Sequence, residues 1–275
     1  MDIRYSSNPN DFEAFTTERT RREFLVQSLF TPGNVSWTYS HYDRMIIGGV
    51  CPDGTITLAG GKELGTDYFL ERREMGIINV GPDGRVTVDG RTFELGKTDG
   101  LYIGKGAQHV VFDSADPSVP AHFYVLSGPA HKAYPTVKVT MAEAETTRLG
   151  TPEEANLRVL NKYIHPAGVP SCQLVMGITA IQAGSVWNSM PCHTHERRME
   201  VYFYFDLRQD SVLFHFMGQP DKTRHIVVRN EEAVISPSWS IHAGAGTASY
   251  SFIWGMLGDN QTFSDMDAVN LAELK

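Results

Sequence analysis

The stretch MPCHTHERRMEVYFYF, from Met190 to Phe205, places two histidines and a glutamate at the start of an aromatic segment. Alternate side chains of a strand lie on one face, so His193 and His195 point the same way. A tight turn through Arg197 and Arg198 can return Glu200 to their side, and His242, after the proline turn in SPSWSIH, is the natural fourth member. Neutral imidazoles with one carboxylate suit a divalent ion of borderline softness, whereas calcium and magnesium prefer oxygen ligands. The spacing therefore predicts a metal site.

The alternative for these histidines is a satisfied pair near the end of a surface strand, since an isolated His-x-His is common by chance. The following glutamate, the strand context and the later Pro-x-x-x-x-His occur in the order that a metal site needs, and they favour metal binding. Cys192 is a softer donor, but as the neighbour of His193 it should face the opposite side and pack.

The segments that must position these residues read as strands. Short apolar runs such as MIIGGV, HVVF, EVYFYF and YSFIWGMLG are rich in β-branched and aromatic residues and end at Gly, Pro, Asn or Asp. GPDGRVTVDGRTFELG is typical of consecutive hairpins, because both Asp-Gly pairs suit tight turns. Helix signals are few: a capping box at Thr20–Glu23 leading into FLVQSLF, and an N-cap with a following proline at Thr151–Glu154. The chain is predicted to be mainly β.

The strand-rich halves resemble each other, which indicates two related β modules. In both halves a Glu-Arg-Arg run enters a strand, in FLERREMGIINV and in THERRMEVYFYF. We predict an N-terminal module with a helical segment at 1–128, a linker at 129–158 that is rich in proline and charge, and a C-terminal module at 159–275.

The first module lacks the ligand set. Aligning the Glu-Arg-Arg runs places Tyr68 and Leu70 at the positions of the two histidines and Met75 opposite Glu200, and only His109 has a histidine counterpart. We therefore expect a structural N-terminal module and one metal-binding module.

Bulk properties narrow the function further. A formal net charge of −8 argues against nucleic acid and against a broad anionic membrane surface as partners. No apolar run is long enough to span a bilayer, the N-terminus lacks the layout of a signal peptide, and three scattered cysteines are too few for a disulfide framework. We expect a cytoplasmic protein with reduced thiols.

The ligand pattern resembles the cupin superfamily, small β-barrels with His-x-His and a glutamate in one motif and a histidine in a second. Further segments, among them SHYDRMIIGGV, YFLERREMGIINVG, MGQPDKTRHIV and FIWGM, are similar to the family of 5-keto-4-deoxyuronate isomerases over most of the chain. This resemblance implies a bicupin of two jelly-roll-like barrels with few short helices that assembles into a homohexamer. It also implies one Zn²⁺ per chain on His193, His195, Glu200 and His242.

The activity implied by the resemblance is an aldose–ketose isomerisation in pectin breakdown. It converts 5-keto-4-deoxyuronate, which is 4-deoxy-L-threo-5-hexosulose uronate, to 3-deoxy-D-glycero-2,5-hexodiulosonate through an enediol. For the proton transfer this chemistry needs, we predict Glu196 as base and Tyr202 and Tyr204 as relays or enediolate donors. Glu196 as a surface partner of its neighbouring arginines, and the tyrosines as barrel filling, are the alternatives. Four protein ligands close a tetrahedral zinc site, so catalysis at the metal requires a higher coordination number or a loosely held carboxylate.

The substrate of such an enzyme is a small sugar acid, and arginine is the preferred partner of its carboxylate. Arg197, Arg198 and Arg224 are the candidates, although each is more often a solvated surface charge. Two other functions use the same ligands: an iron-dependent cupin oxygenase, and a sugar-binding cupin without turnover. Neither oxygen nor redox-active iron is needed for isomerisation, so an anaerobic assay with metal analysis separates them.

Overall fold

The computed structural model describes residues 1–275, which cluster into two compact units. Unit 1 comprises Met1–Ile3, Ser28–Glu145 and Lys162–Met176, and unit 2 comprises Arg4–Gln27, Thr146–Asn161 and Gly177–Lys275. The units are defined by spatial contact, so the contiguous domain limits given by the sequence stay a prediction.

The helices are few and short: α1 Pro9–Phe12, α2 Thr17–Phe24 and a 3-10 turn at Leu271–Glu273. The first twelve strands are β1 Asp2–Arg4, β2 Leu25–Val26, β3 Asn34–Ser40, β4 Ile46–Cys51, β5 Ile56–Thr57, β6 Arg73–Asn79, β7 Gly84–Val88, β8 Arg91–Leu95, β9 Gly100–Ile103, β10 Val110–Ser114, β11 Phe123–Pro129 and β12 Val137–Val139. The remaining strands are β13 Glu145–Leu149, β14 Arg158–Ile164, β15 Val175–Ile181, β16 Trp187–Asn188, β17 His193–Thr194, β18 Arg198–Phe205, β19 Leu213–Gly218, β20 Arg224–Val228, β21 Glu232–Ser236, β22 Ile241–Gly246, β23 Ser251–Gly258 and β24 Asp267–Ala268.

The strand order shows the internal repeat. One seven-stranded sheet runs β1-β3-β4-β11-β6-β9-β12, and the other runs β13-β14-β15-β23-β18-β21-β2. Their four-stranded companions run β5-β10-β7-β8 and β16-β22-β19-β20. Strand for strand, β6 of one sheet corresponds to β18 of the other, and each follows a Glu-Arg-Arg run. All residues of both strands are buried, as expected of a strand covered on both faces.

The predicted hairpin is confirmed at its second Asp-Gly pair. β7 and β8 pair antiparallel around Asp89 and Gly90, which both have positive φ, at 47° and 86°. That backbone is the one a two-residue primed turn requires, and Asp-Gly supplies it at low cost. The first pair, Asp83–Gly84, instead carries the chain from the seven-stranded sheet into the four-stranded one, so the prediction of two consecutive hairpins is half wrong.

Both helix predictions need correction. α2 begins after Thr16, whose hydroxyl accepts a hydrogen bond from the backbone N–H of Arg19 at 3.2 Å, and it ends at Phe24. Leu25 and Val26 pair with Val234 and Ala233 as a strand, so tertiary pairing prevails over the capping box predicted at Thr20. At Thr151–Glu154 the cap contact forms, with Glu154 N–H donating to the Thr151 hydroxyl at 3.3 Å, but only a turn follows. No helix of the structure is long and apolar enough to cross a membrane.

Candidate metal centre

Three strands of unit 2 and the turn between two of them carry the four predicted ligands, and His195 lies directly after β17 at the start of that turn. β17 carries His193, and the chain then turns tightly, with the Arg198 N–H donating to the carbonyl of His195 at 3.0 Å. This turn starts β18, which carries Glu200 between β21 and β23. His242 lies on β22 of the four-stranded sheet. The predicted turn is present but lies one residue earlier, at Glu196 and Arg197, and Arg198 is already the first residue of β18.

The ligand atoms of these four residues lie within 4.8 Å of one another. His242 Nε2 is 3.0 Å from His193 Nε2 and 2.9 Å from Glu200 Oε2, and His195 Nε2 is 3.1 Å from the same Glu200 oxygen. His195, Glu200 and His242 are buried, and His193 is half-buried. The sequence prediction that these four side chains converge is correct.

Backbone contacts fix how the imidazoles face the cluster. The Nδ1 atoms of His195 and His242 face the carbonyls of Arg198 and Ser240, at 3.2 and 3.4 Å. Because a carbonyl accepts a hydrogen bond, each Nδ1 carries a proton. Each Nε2 can donate to Glu200 while it is protonated, and it presents a lone pair to the cluster once that proton leaves. A backbone partner of this kind commonly orients histidines that bind metals.

The protonation states also suit a cation. Burial, and next the adjacent His242, lower the pKa of His193 to about 3, so this ring is neutral at neutral pH. Burial opposes ionisation of Glu200, but His242 and the hydrogen bond from His195 hold its pKa well below the usual range. Burial disfavours the charged form of His195, but the hydrogen bond to Glu200 outweighs it and raises the pKa of His195. Imidazole nitrogens and a carboxylate oxygen thus surround a position that needs positive charge, and a divalent ion fits it.

A cavity of about 390 Å³ opens beside the cluster. Its polar wall includes Arg158, Asn188, Arg198 and Tyr202, and its apolar wall includes Trp254. The volume suits one monosaccharide-sized ligand, and few polar groups in an otherwise apolar pocket are typical of small-molecule sites. The cluster and the cavity together form a pocket that can hold an ion and a small polar molecule.

The structure brings only one of the three predicted arginines to this cavity. Arg198 lines it while donating to the carbonyls of Thr262 and Asp265, both at 2.7 Å, and its buried Nε has no hydrogen-bond partner. Arg197 instead forms a bidentate pair with Asp265, at 2.9 and 2.7 Å.

Arg224 lies elsewhere in unit 2. Its guanidinium donates to the carbonyl of Glu13, and its side chain lines a separate surface cavity beside α2. Substrate binding by Arg197 or Arg224 remains a prediction from the sequence.

Of the three predicted proton-transfer residues, only one lines the cavity. Tyr202 lines the cavity, with its ring 5.3 Å from that of His242. Tyr204 lies deeper, and its hydroxyl contacts Nδ1 of His215 at 2.7 Å. Glu196 is exposed on the turn after His195 and does not line the cavity. Both tyrosines are buried, but only Tyr202 lines the cavity, and the role of Glu196 as base stays a prediction.

Sequence reasoning missed Arg158. We assigned this residue to the end of the linker, but it begins β14 and lines the cavity together with Leu160. Its guanidinium donates to the carbonyl of Asn156 at 2.9 Å and is half-buried. Arg158 and Leu160 are two residues apart and therefore lie on the same face of a strand. This spacing was the feature of the sequence from which a shared position in the cavity wall could have been predicted.

The corresponding positions of unit 1 hold no ligands. Leu70 and Met75 are buried in its apolar core with Ile77 and Val125. Among residues 1–275, His193, His195, Glu200 and His242 form the one cluster of three or more side chains that could hold a metal ion. The asymmetry between the modules that the alignment predicted is therefore present in the structure.

Comparison with known proteins gives consistent matches over the full chain. A family model described as the KduI/IolB family matches residues 24–273. The chain is 54% identical over 276 residues to a 4-deoxy-L-threo-5-hexosulose-uronate ketol-isomerase from Caldicellulosiruptor bescii, covering 100% of both proteins. A protein of the same name from Shouchella clausii is also 54% identical, with the same coverage.

Two solved structures support the fold. An IolB-like protein from Salmonella typhimurium has a TM-score of 0.71 at 14% identity, covering 90% of this chain and 96% of its own. A deletion mutant of oxalate decarboxylase from Bacillus subtilis has a TM-score of 0.56 at 10% identity, covering 79% and 70%. The predicted fold class, a mainly β bicupin, is confirmed.

The cluster predicts a measurable metal content. Purified protein should carry about one divalent ion per chain, and His242→Ala should retain less than about a tenth of that after dialysis, because one of the four ligand atoms is lost. Elemental analysis by mass spectrometry measures both. His225→Gln, which replaces an exposed histidine outside the cluster, is the matched control and should keep its metal. Full metal retention in His242→Ala would contradict the site.

Proposed function

This chain belongs to the KduI/IolB family, and from that membership and its site geometry we propose that it is an aldose–ketose isomerase. Its proposed substrate is 4-deoxy-L-threo-5-hexosulose uronate and its product 3-deoxy-D-glycero-2,5-hexodiulosonate, in the breakdown of pectin-derived uronates. The observation that carries the proposal is the convergence of His193, His195, Glu200 and His242 at a monosaccharide-sized cavity. The full-length similarity to proteins with the ketol-isomerase name supports the same conclusion.

The reaction moves the carbonyl group from C1 to C2 without a change in composition. A base takes the proton from C2, the electron pair shifts to give a cis-enediol(ate), and a proton returns at C1. The C2 hydroxyl loses its proton as C2 becomes the ketone, and the former aldehyde oxygen gains one. The site must therefore move protons and stabilise negative charge on two adjacent oxygens.

We propose that His193, His195, Glu200 and His242 hold one Zn²⁺ per chain, since three imidazoles and a carboxylate suit that ion. Bound there, zinc would supply Lewis-acid stabilisation of the developing charge. The carbonyls of Arg198 and Ser240 hold two of the imidazoles with Nε2 towards the cluster.

Tyr202 is the group of the cavity wall best suited to donate to the enediolate. Burial raises the pKa of its hydroxyl well above the usual value, so the group stays protonated and acts as a donor rather than as a base. Tyr204, bonded to His215, lies next to it with ring centroids 6.0 Å apart and would act by holding Tyr202 in position.

For the substrate carboxylate we propose Arg158 and Arg198. Both line the cavity, and both donate to backbone carbonyls rather than to carboxylates, so their positive charge is available to an anion. Arg197 differs, because Asp265 and Asp267 already neutralise it.

We propose a homohexamer, which the family resemblance implies, and a cytoplasmic location, which the few scattered cysteines indicate. The three cysteines are unpaired, which fits the reduced thiols of that compartment.

An NMR time course on the uronate substrate tests the function directly. Metal-restored protein should show migration of the carbonyl from C1 to C2, and metal-free protein should lose at least about 99% of that rate if the ion stabilises the enediolate. The rate should be the same without oxygen, which distinguishes the isomerase from a cupin oxygenase. Substrate binding without carbonyl migration in any sample would instead support a sugar-binding cupin, and equal rates with and without metal would make the ion structural.

The base is tested by Glu196→Gln. If Glu196 takes the C2 proton, kcat should fall at least about 100-fold with metal content unchanged, as for loss of a general base. Glu153→Gln, at another exposed glutamate, is the control and should match the parent protein. A kcat within about twofold of the parent would remove Glu196 and leave Glu200 as the carboxylate in the cavity.

Arginine variants locate the substrate carboxylate. Arg158→Gln should raise KM about 10- to 100-fold, the range for a lost charge-assisted hydrogen bond, with a smaller change in kcat. Steady-state kinetics of Arg197→Gln and Arg224→Gln then test the two other sequence candidates. A larger rise in KM for either one would move the carboxylate site away from Arg158.

A further inference from the structure

A second cavity of about 390 Å³ lies within unit 1. Three of its lining residues occupy strands that correspond to those lining the metal-site cavity of unit 2. Ile3 on β1 corresponds to Leu149 on β13, and Arg73 on β6 corresponds to Arg198 on β18. Tyr39 lies on β3, the counterpart of β14, which lines the cavity of unit 2. Arg73 and Arg198 are also the second arginines of the two Glu-Arg-Arg runs. The repeat has thus kept an arginine-lined cavity in the module that lacks metal ligands.

Arg73 is a buried charge without a counter-charge. Its side chain is 6% exposed, and its guanidinium donates to the hydroxyl and carbonyl of Ser127, at 3.2 and 2.8 Å, and to the carbonyl of Arg44. No carboxylate lies within ion-pair distance of it. Burial of an uncompensated charge is costly, and a bound anion would offset that cost.

The other charged side chains that line the unit 1 cavity are also mainly positive. Arg44 and Arg72 line the cavity with exposed side chains, while Glu63 is its one acidic residue. Arg72 pairs with Glu71, whose carboxylate also accepts the Asp67 N–H. Glu71 offsets the charge of Arg72, and the N-terminal amine of Met1 lies 3.5 Å from Glu63. Arg44 and Arg73 therefore leave this pocket locally positive in a chain of net charge −8.

Two hydroxyl groups and an apolar wall narrow the ligand class. Thr66 lines the cavity, and its buried hydroxyl has no hydrogen-bond partner, which is rare for a buried hydroxyl. Tyr39 adds a phenol, and Leu64 and Pro129 add apolar surface. A bare inorganic anion would leave the hydroxyls and the apolar wall unused, whereas a small sugar acid would contact all three kinds of group.

We propose that the cavity lined by Arg44, Arg72 and Arg73 in unit 1 is a binding site for a monosaccharide carboxylate. The ligand carboxylate lies against the Arg73 guanidinium, and a sugar hydroxyl pairs with Thr66. The one cluster of side chains that could hold a metal ion is in unit 2, and the proposal for this cavity concerns binding alone. It depends on the chemistry of unit 1 alone and not on the isomerase activity proposed for unit 2.

Isothermal titration with D-glucuronate tests the site. The titration is done in the Arg158→Gln chain, where binding at the metal-site cavity is weakened, and it should still show saturable binding. Adding Arg44→Gln and Arg72→Gln should weaken that binding at least about tenfold, since two charged donors are lost. Both side chains are exposed, and the Arg44 carbonyl that Arg73 needs is kept. Circular dichroism checks that the variants fold.

Control measurements decide the outcome. Arg208→Gln, which removes an exposed arginine of unit 2, should leave the affinity unchanged. D-glucose, of the same size without the carboxylate, should bind at least about tenfold more weakly. Loss of affinity in Arg208→Gln equal to that in the double variant, or no saturable binding at all, would overturn the site. Inorganic phosphate binding as tightly as glucuronate would overturn the sugar-acid assignment. None of these results depends on turnover, so failure here is distinguishable from failure of the isomerase.

Discussion

The candidate site depends on one electrostatic constraint: buried lone pairs that face each other across about 3 Å need a positive charge between them. Backbone carbonyls take the Nδ1 protons of His195 and His242, so the Nε2 atoms turn inward towards Glu200. Within a mainly apolar barrel this arrangement is costly unless protons or an ion occupy the centre. The strand pairings around β18 hold the donors together, and the chemistry of the donors makes a divalent ion the fitting occupant.

The two barrels differ in how they avoid buried, uncompensated lone pairs. In unit 2 the ligand positions are polar, and a bound positive charge would offset the cost. In unit 1 the equivalent positions are Leu70 and Met75, which pack into an apolar core and remove the need for any ion. The buried carboxylate that remains on β6, Glu74, is satisfied within unit 1 by the N–H groups of residues 172–174 and the hydroxyl of Tyr102. The same strand order therefore supports a metal centre in one module and a closed core in the other.

Local rules were sufficient for part of this architecture. Strand alternation and a tight turn predicted that His193, His195 and Glu200 would meet, and the repeated Glu-Arg-Arg run predicted two modules. The failures occurred where a long-range contact decides. Leu25 was predicted to be helical, but it pairs with β21 as a strand residue. Arg197 was predicted to bind substrate, but it forms an ion pair with Asp265, which is distant in sequence. Arg158 was missed because its place in the cavity depends on how β14 joins the sheet, which spacing alone does not specify.

The partners of an arginine decide whether its charge remains available. Arg197 has two carboxylates as partners and is neutralised where it stands. Arg198 and Arg73, at equivalent positions of the repeat, donate to uncharged oxygens, which fix the guanidinium without cancelling its charge. Each such arginine lines a cavity. A chain of net charge −8 can therefore attract a carboxylate into a pocket, because the local field depends on these few uncompensated groups and not on the total charge.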